Sequence, residues 1–138
     1  VRAAQVALER ANLTIDEVAQ LLPHQANLRI VEAVGKKLPI APDKVFTNLQ
    51  TYGNTSAASI PLALTEALAA GRIQAGDRLL FAAFGAGLTS AAAVLGWGER
   101  TAPLQASAVE LPANDSSARE LVAASHAFQE GWHARQSG

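Results

Sequence analysis

Leu79 to Gly98 carries no charged residue, and few folds accommodate such a run. A stretch of that length is long enough to span a bilayer. Gly85, Gly87, Gly96 and many alanines make it only weakly apolar, and Gly85-Ala86-Gly87 reads as a tight turn in its middle. Short apolar runs split by a glycine turn fit two buried strands better than a membrane helix. The expected hairpin runs from Arg78 to Phe84 and returns from Leu88 to Trp97.

A hairpin needs a sheet, and the upstream sequence supplies one. Val18 to Leu22 is nearly continuous in apolar residues and stops at Pro23. That pattern predicts a strand buried on both faces, as in a parallel sheet. His24 follows at once, so it sits at the carboxyl end of the strand, where open α/β sheets bind ligands. A helix is expected from Gln25 to Leu38, with Leu28, Val31, Val34 and Leu38 toward the sheet. Pro39 and Pro42 forbid its continuation. Val45 to Leu49 reads as a short strand, followed by a corner at Tyr52-Gly53-Asn54. Pro61 is tolerable only in a first turn, so the next helix is expected from near Ser59 to Ala70, with Thr55 or Ser56 as cap. Gly71 is a natural residue just past its end. Ahead of all this, Arg2 to Ala11 reads as a helix, and Thr14 with Glu17 fits a capping box. The fold class is α/β: a βαβαββ layer whose terminal antiparallel hairpin joins an otherwise parallel or mixed sheet.

The 138 residues are 49% hydrophobic, enough for one domain with a core. A net charge of −1 gives no reason to expect nucleic acid or an anionic membrane as partner. The chain has no cysteine, so disulfides, thiolate metal sites and a cysteine nucleophile are excluded within it. Its start lacks a charged-then-apolar signal pattern, so a cytoplasmic location is expected by default. The first residue is Val1, which hints at a processed chain or a fragment.

Composition changes after Gly98. The expected organisation is a domain over 1–98, a linker over 99–115 with Pro103 and Pro112, and an amphipathic tail helix over 116–138. Ser117 and Glu120 fit a second capping box, and Leu121, Ala124, Phe128 and Trp132 share one face of that helix. Such a helix docks on its own domain or a neighbour, or serves as a partner-recognition element. His126 and His133 lie in it without a third ligand at metal spacing, so no metal is expected.

His24 alone reads as a structural histidine, and Asn54 alone as turn chemistry. Together they are more informative. A neutral imidazole N–H and a carboxamide N–H can both donate to one carbonyl oxygen. Two fixed donors on one oxygen make an oxyanion-type site. An enolate formed as a carboxylate leaves needs that support and needs no base. Gly85-Ala86-Gly87 either adds a close-approaching backbone N–H or is simply a hairpin turn. It is not a phosphate loop, because no Lys-Ser/Thr follows.

Three stretches in order carry a family resemblance: Pro23-His24-Gln25-Ala26-Asn27-x-Arg29-Ile30, Tyr52-Gly53-Asn54-Thr55-Ser56-Ala57-Ala58-Ser59-Ile60-Pro61 and Phe84-Gly85-Ala86-Gly87-Leu88-Thr89. From about Arg2 to Trp97 the chain resembles the C-terminal half of β-ketoacyl-acyl carrier protein synthase III. The resemblance implies half of a thiolase-like αβαβα sandwich, with the complete enzyme usually a homodimer. It implies a decarboxylative Claisen condensation between an acyl group held on a cysteine and malonyl-carrier protein. Acyl-coenzyme A and malonyl-carrier protein are then substrates, and no cofactor is expected.

Residue by residue, the resemblance places His24 and Asn54 on the catalytic histidine and asparagine that hold the malonyl thioester oxygen. The backbone at Gly85 and Ala86 matches the oxyanion loop for the acyl-cysteine, and Phe84 an aromatic residue near the acyl site. Asn27 matches a pantetheine-contacting position, and Arg29 a basic residue that docks the acidic carrier. Lys36 lies seven residues from Arg29 and shares its helix face. The sequence departs from the family in two ways. The nucleophilic cysteine belongs to an N-terminal half not present here, so this chain alone is expected to be inactive. Ser90 stands where many relatives carry tryptophan. An acyltransferase of the same fold, acting on oxygen or nitrogen, and a non-catalytic assembly or docking module are the other readings.

Overall fold

The computed structural model describes residues 1–102 and 115–136. Residues 1–102 fall in one compact unit and 115–136 in a second. The first unit begins with α1 (Arg2–Ala11), which ends at Asn12 in a left-handed conformation. The Thr14 and Glu17 capping box is present: the Thr14 backbone N–H donates to Glu17 Oε2 at 2.8 Å and its hydroxyl at 2.9 Å. It opens a single 3-10 turn, Ile15–Glu17.

The strand predicted from the apolar run is β1 (Gln20–Pro23), buried along its whole length. After it come α2 (Leu28–Lys37), the short α3 (Leu49–Tyr52) and α4 (Ser59–Ala69). The hairpin is β2 (Arg78–Gly85) and β3 (Thr89–Gly96). The sheet has the order β1-β2-β3. β1 pairs parallel to β2, with Leu21 opposite Leu80, and β2 pairs antiparallel to β3, with Leu80 opposite Val94. The mixed sheet is therefore as expected.

Successive strand residues point to opposite faces, so β1 and β2 each feed two cores. Leu21 and Leu80 pack with Leu8 of α1 and with Val34 and Leu38 at the end of α2. Leu22 and Leu79 pack with Ala63 and Ala67 of α4 and with Ile73. Helices thus cover both faces, which explains why the apolar run shows no alternation. Burying a leucine side chain of this kind stabilises by about 1.5–3 kcal/mol.

Several expectations are corrected. Val45 to Leu49 forms no strand. It makes one parallel bridge, Leu21 to Val45, and one ladder bond from Phe46 N–H to Leu21 O at 2.9 Å. The groups that would extend the ladder, Phe46 O and the Asn48 N–H, bond instead to the side chain of Gln25. α2 starts at Leu28 rather than Gln25, because the Asn27 side chain caps it by accepting from Ile30 N–H at 3.0 Å. As the first helical residue, Leu28 has no preceding turn to pack on. It lines a groove with Ile40 and Val45 instead of facing the sheet. Neither Thr55 nor Ser56 caps α4; the Thr55 hydroxyl bonds to Ser59 Oγ at 3.2 Å. The hairpin is less buried than expected. Leu79 and Leu80 are core residues, but β3 is mostly exposed along its length.

In the second unit, α5 (Ala118–Gln136) is opened by the expected capping box. The Ser117 hydroxyl donates to Glu120 Oε2 at 2.8 Å. Leu121 and Phe128 are exposed. The side chains of Trp132 and His133 lie outside the described residues, as does most of the expected linker. Among the described residues, no helix is long and apolar enough to cross a membrane.

Candidate functional site

At the carboxyl end of β1 the chain turns away from the sheet. His24 N–H still donates to Ala82 O, at 2.7 Å, so the parallel ladder holds the residue after the strand. Ala26 N–H returns to His24 O at 3.0 Å and closes the corner. The His24 ring is half-buried and meets the Phe84 ring edge-on, with centroids 5.5 Å apart and planes at 77°. A near-perpendicular pair of rings at this separation makes a favourable quadrupole contact. Phe84 comes from the end of β2, and the β1–β2 register brings it there.

The second corner is built from left-handed residues. α3 stops at Gly53, whose φ is +66°, a conformation that favours glycine. Asn54 follows, and its Oδ1 accepts from Ser56 N–H at 2.9 Å. Ser56 itself has φ +52°, an uncommon value for a residue with a side chain. Because Oδ1 is engaged by the backbone, Nδ2 is the end of Asn54 available to donate. Tyr52 ties this corner to α4: its hydroxyl donates to Glu66 Oε1 at 2.8 Å. That bond, reinforced by the carboxylate charge, holds the Tyr52 phenol above its usual range.

A cleft of about 620 Å³ joins the two corners to the hairpin turn. His24, Asn54, Phe84, Gly85 and Ala86 all line it, together with the highly exposed Leu88. The residues singled out for the oxyanion chemistry therefore converge. β2 ends at Gly85, opposite Thr89, and Gly87 at φ +86° makes the turn. A Cβ on Gly85 would lie 3.3 Å from Thr89 Oγ1, so glycine keeps the turn tight.

Asn27 and Arg29 do not line this cleft. Asn27 spends its Oδ1 on capping α2, and Arg29 is exposed in the first turn of that helix. Ser90 lies opposite Phe84 on β3 and is exposed. His126 is exposed on α5, and among the described residues no group of three or more His, Asp or Glu is placed to hold a metal ion.

Sequence reasoning missed Gln25. It is 1% exposed, and its side-chain amide bonds to Pro23, at the first corner, and to the segment that leads into α3. The signals were its place in the Pro23–Ile30 stretch and its position directly after a strand-ending Pro-His, where periodicity has nothing to say.

The family model for the C-terminal part of 3-oxoacyl-[acyl-carrier-protein] synthase III matches residues 8–97. β-Ketoacyl-[acyl-carrier-protein] synthase III 2 of Vibrio cholerae is 49% identical over 120 residues, covering 87% of this chain and 33% of that protein. The synthase III of Roseiflexus castenholzii is 56% identical over 91 residues, 66% of this chain and 28% of the relative. Among solved structures, the synthase III of Thermus thermophilus superposes with a TM-score of 0.69 at 52% identity, covering 72% of this chain and 31% of that one. The priming β-ketosynthase of the R1128 polyketide pathway superposes with a TM-score of 0.67 at 37% identity, over 71% of this chain and 30% of that one. The chain spans about a third of the length of the curated relatives it matches.

Proposed function

The chain belongs to the 3-oxoacyl-[acyl-carrier-protein] synthase III C-terminal family, and from that premise we propose that it supplies the enolate-holding side of a ketosynthase active site. The reaction is a decarboxylative Claisen condensation. The malonyl carboxylate leaves as carbon dioxide, and its bonding pair moves through the α-carbon to the thioester oxygen. A His24 ring N–H and Asn54 Nδ2 donate to that oxygen as charge develops on it. The α-carbon then attacks the acyl-thioester carbonyl, a carbon–carbon bond forms, and the cysteine leaves as thiolate. Gly85 and Ala86 line the place where the second oxyanion forms. Fixed donors in a cleft of this kind need no reorganisation at the moment of reaction.

One observation carries the reading: His24 and Asn54 line a single cleft, and Ser56 holds the asparagine amide with its donor end available. The cysteine comes from residues outside this sequence, which has none. The partners are a cysteine-bearing N-terminal portion, a second copy of the complete enzyme, and an acidic carrier protein that meets Arg29 and Lys36. Asn27 contacts the pantetheine arm, Phe84 borders the acyl group, and the enzyme works in the cytoplasm. Asn54 favours condensation over acyl transfer to oxygen or nitrogen, because those reactions need a base more than an enolate clamp.

The test is reconstitution. This chain is combined with the cysteine-bearing portion of a synthase III, and ketoacyl product is measured from acyl-coenzyme A and malonyl-carrier protein. Product that disappears in His24→Ala and Asn54→Ala is expected. An active complex indifferent to both substitutions overturns the assigned roles.

A further inference from the structure

We infer that Gln25 is a positioning residue that sets the spacing between the two donors of this site; the inference rests on the roles proposed for His24 and Asn54. Its side-chain amide is buried and uses all its hydrogen-bonding capacity. Nε2 donates to Pro23 O at 2.8 Å and to Phe46 O at 3.4 Å. Oε1 accepts from the Thr47 hydroxyl at 2.8 Å and from Asn48 N–H at 3.3 Å. A carboxamide has two N–H donors and two acceptor lone pairs, and here each meets a partner of the opposite kind. Flipping the amide would set Oε1 against two carbonyl oxygens and Nε2 against the Asn48 N–H, so its orientation is fixed.

Those partners belong to two different segments, one at the His24 corner and one leading through α3 to the Asn54 corner. Pro23 immediately precedes His24. Phe46, Thr47 and Asn48 lead into α3, whose first turn is bonded to Asn48 O through Thr51 N–H at 3.0 Å and Tyr52 N–H at 3.2 Å. Gly53 N–H closes the same turn on Leu49 O at 2.8 Å, and Asn54 follows. A continuous chain of bonds thus runs from the His24 corner through Gln25 and α3 to the Asn54 corner. β1 and the Val45–Thr47 segment share only a single bridge, so the sheet itself does little to fix this spacing. The Gln25 side chain stands where a longer ladder would otherwise do so.

Thr47→Val removes one bond without changing the side chain's shape, and Gln25→Leu removes all four. The first readout is the 15N spectrum of the labelled chain. In Thr47→Val the Asn54 side-chain amide and the His24 ring signals should both shift. Shifts confined to residues 46–48 overturn the inference, whatever the enzyme does. The second readout is the reconstituted enzyme, with acyl transfer to the cysteine and carbon dioxide release measured separately. Misplacing a reacting group by about 1 Å costs about a hundredfold in rate, so carbon dioxide release should fall about tenfold in Thr47→Val and about a hundredfold in Gln25→Leu. Acyl transfer to the cysteine should fall far less than carbon dioxide release. An equal fall in both half-reactions, or no fall in either, overturns the positioning role. If Gln25→Leu fails to fold, Thr47→Val alone decides. An unsubstituted complex that makes no product, beside shifted Asn54 and His24 signals, defeats the proposed function and leaves the brace standing.

Discussion

The backbone N–H of Ser56 donates to Asn54 Oδ1 across 2.9 Å, and that bond decides which end of the Asn54 amide can serve a ligand. Asn54→Asp keeps the atom that accepts from Ser56 and replaces the donor with a second carboxylate oxygen. A negative charge then faces an oxygen that itself becomes negative. Loss of one oxyanion donor costs about a hundred- to a thousandfold, and carbon dioxide release from malonyl-carrier protein should fall by at least that. Acyl transfer to the cysteine should persist. Measuring the two half-reactions on one preparation checks this; equal losses would mean that the substitution damages the whole corner.

Tyr52 is the only tyrosine in the chain, so its phenol can be followed by ultraviolet absorbance without interference from another. Its hydrogen bond to Glu66, and the carboxylate charge behind it, disfavour the phenolate and raise its pKa. It should titrate above the ordinary value of about 10, and Glu66→Gln should bring it back toward that value. A phenol whose folded pKa is raised favours the folded state below the unfolded pKa. That contribution is lost as pH rises through the folded pKa. The tie between α3 and α4 should therefore loosen in alkali, with the loss beginning above the unfolded value. Titration at the ordinary value in the unsubstituted chain would show that the bond does not persist in solution.

Much of this was legible where the sequence punctuates itself. Pro23 and Gly53 mark the two corners, Pro61 fixes the start of α4 near Ser59, and Gly85 with Gly87 marks the hairpin turn. Steric rules act locally at each of these positions, so local reading succeeds. Gln25 was illegible because its burial depends on Phe46, Thr47 and Asn48, some twenty residues away. The same long-range bonds remove the strand expected over Val45–Leu49. β3 failed differently. Its residues are apolar enough for burial, but burial needs a covering surface, and β3 is mostly exposed in this chain. The pairing of His24 with Asn54 was inferable from chemistry and from the resemblance carried by the two stretches, since nothing in the periodicity says that two corners face one cleft.

Leu22 should be the most informative core position, because it sits in the strand that delivers His24. It is fully buried against Ala63, Ala67, Ile73 and Leu79. The small alanines of α4 bring that helix close, which leaves little room for collapse around a truncated side chain. Leu22→Ala should cost about 2–5 kcal/mol. Denaturant unfolding followed by circular dichroism measures it as a shift in midpoint at unchanged slope. A loss under about 1 kcal/mol would mean that the sheet is not the stable centre of the unit.

Arg29 and Lys36 lie on α2, one near its start and one in its last turn, and both are exposed. Their separation of seven residues puts them on one face, where an acidic carrier would meet two positive charges. Charges at a rim act mainly on encounter and its salt dependence, not on the chemistry that follows. Arg29→Glu should therefore raise the Michaelis constant for malonyl-carrier protein in the reconstituted enzyme and leave kcat nearly unchanged. It should also flatten the dependence of kcat/KM on ionic strength, since an attraction screened by salt has been removed. Malonyl-coenzyme A, which has no protein surface to dock, should be used as well by the variant as by the unsubstituted enzyme. A variant whose Michaelis constant for the carrier does not move would place carrier docking elsewhere on the molecule.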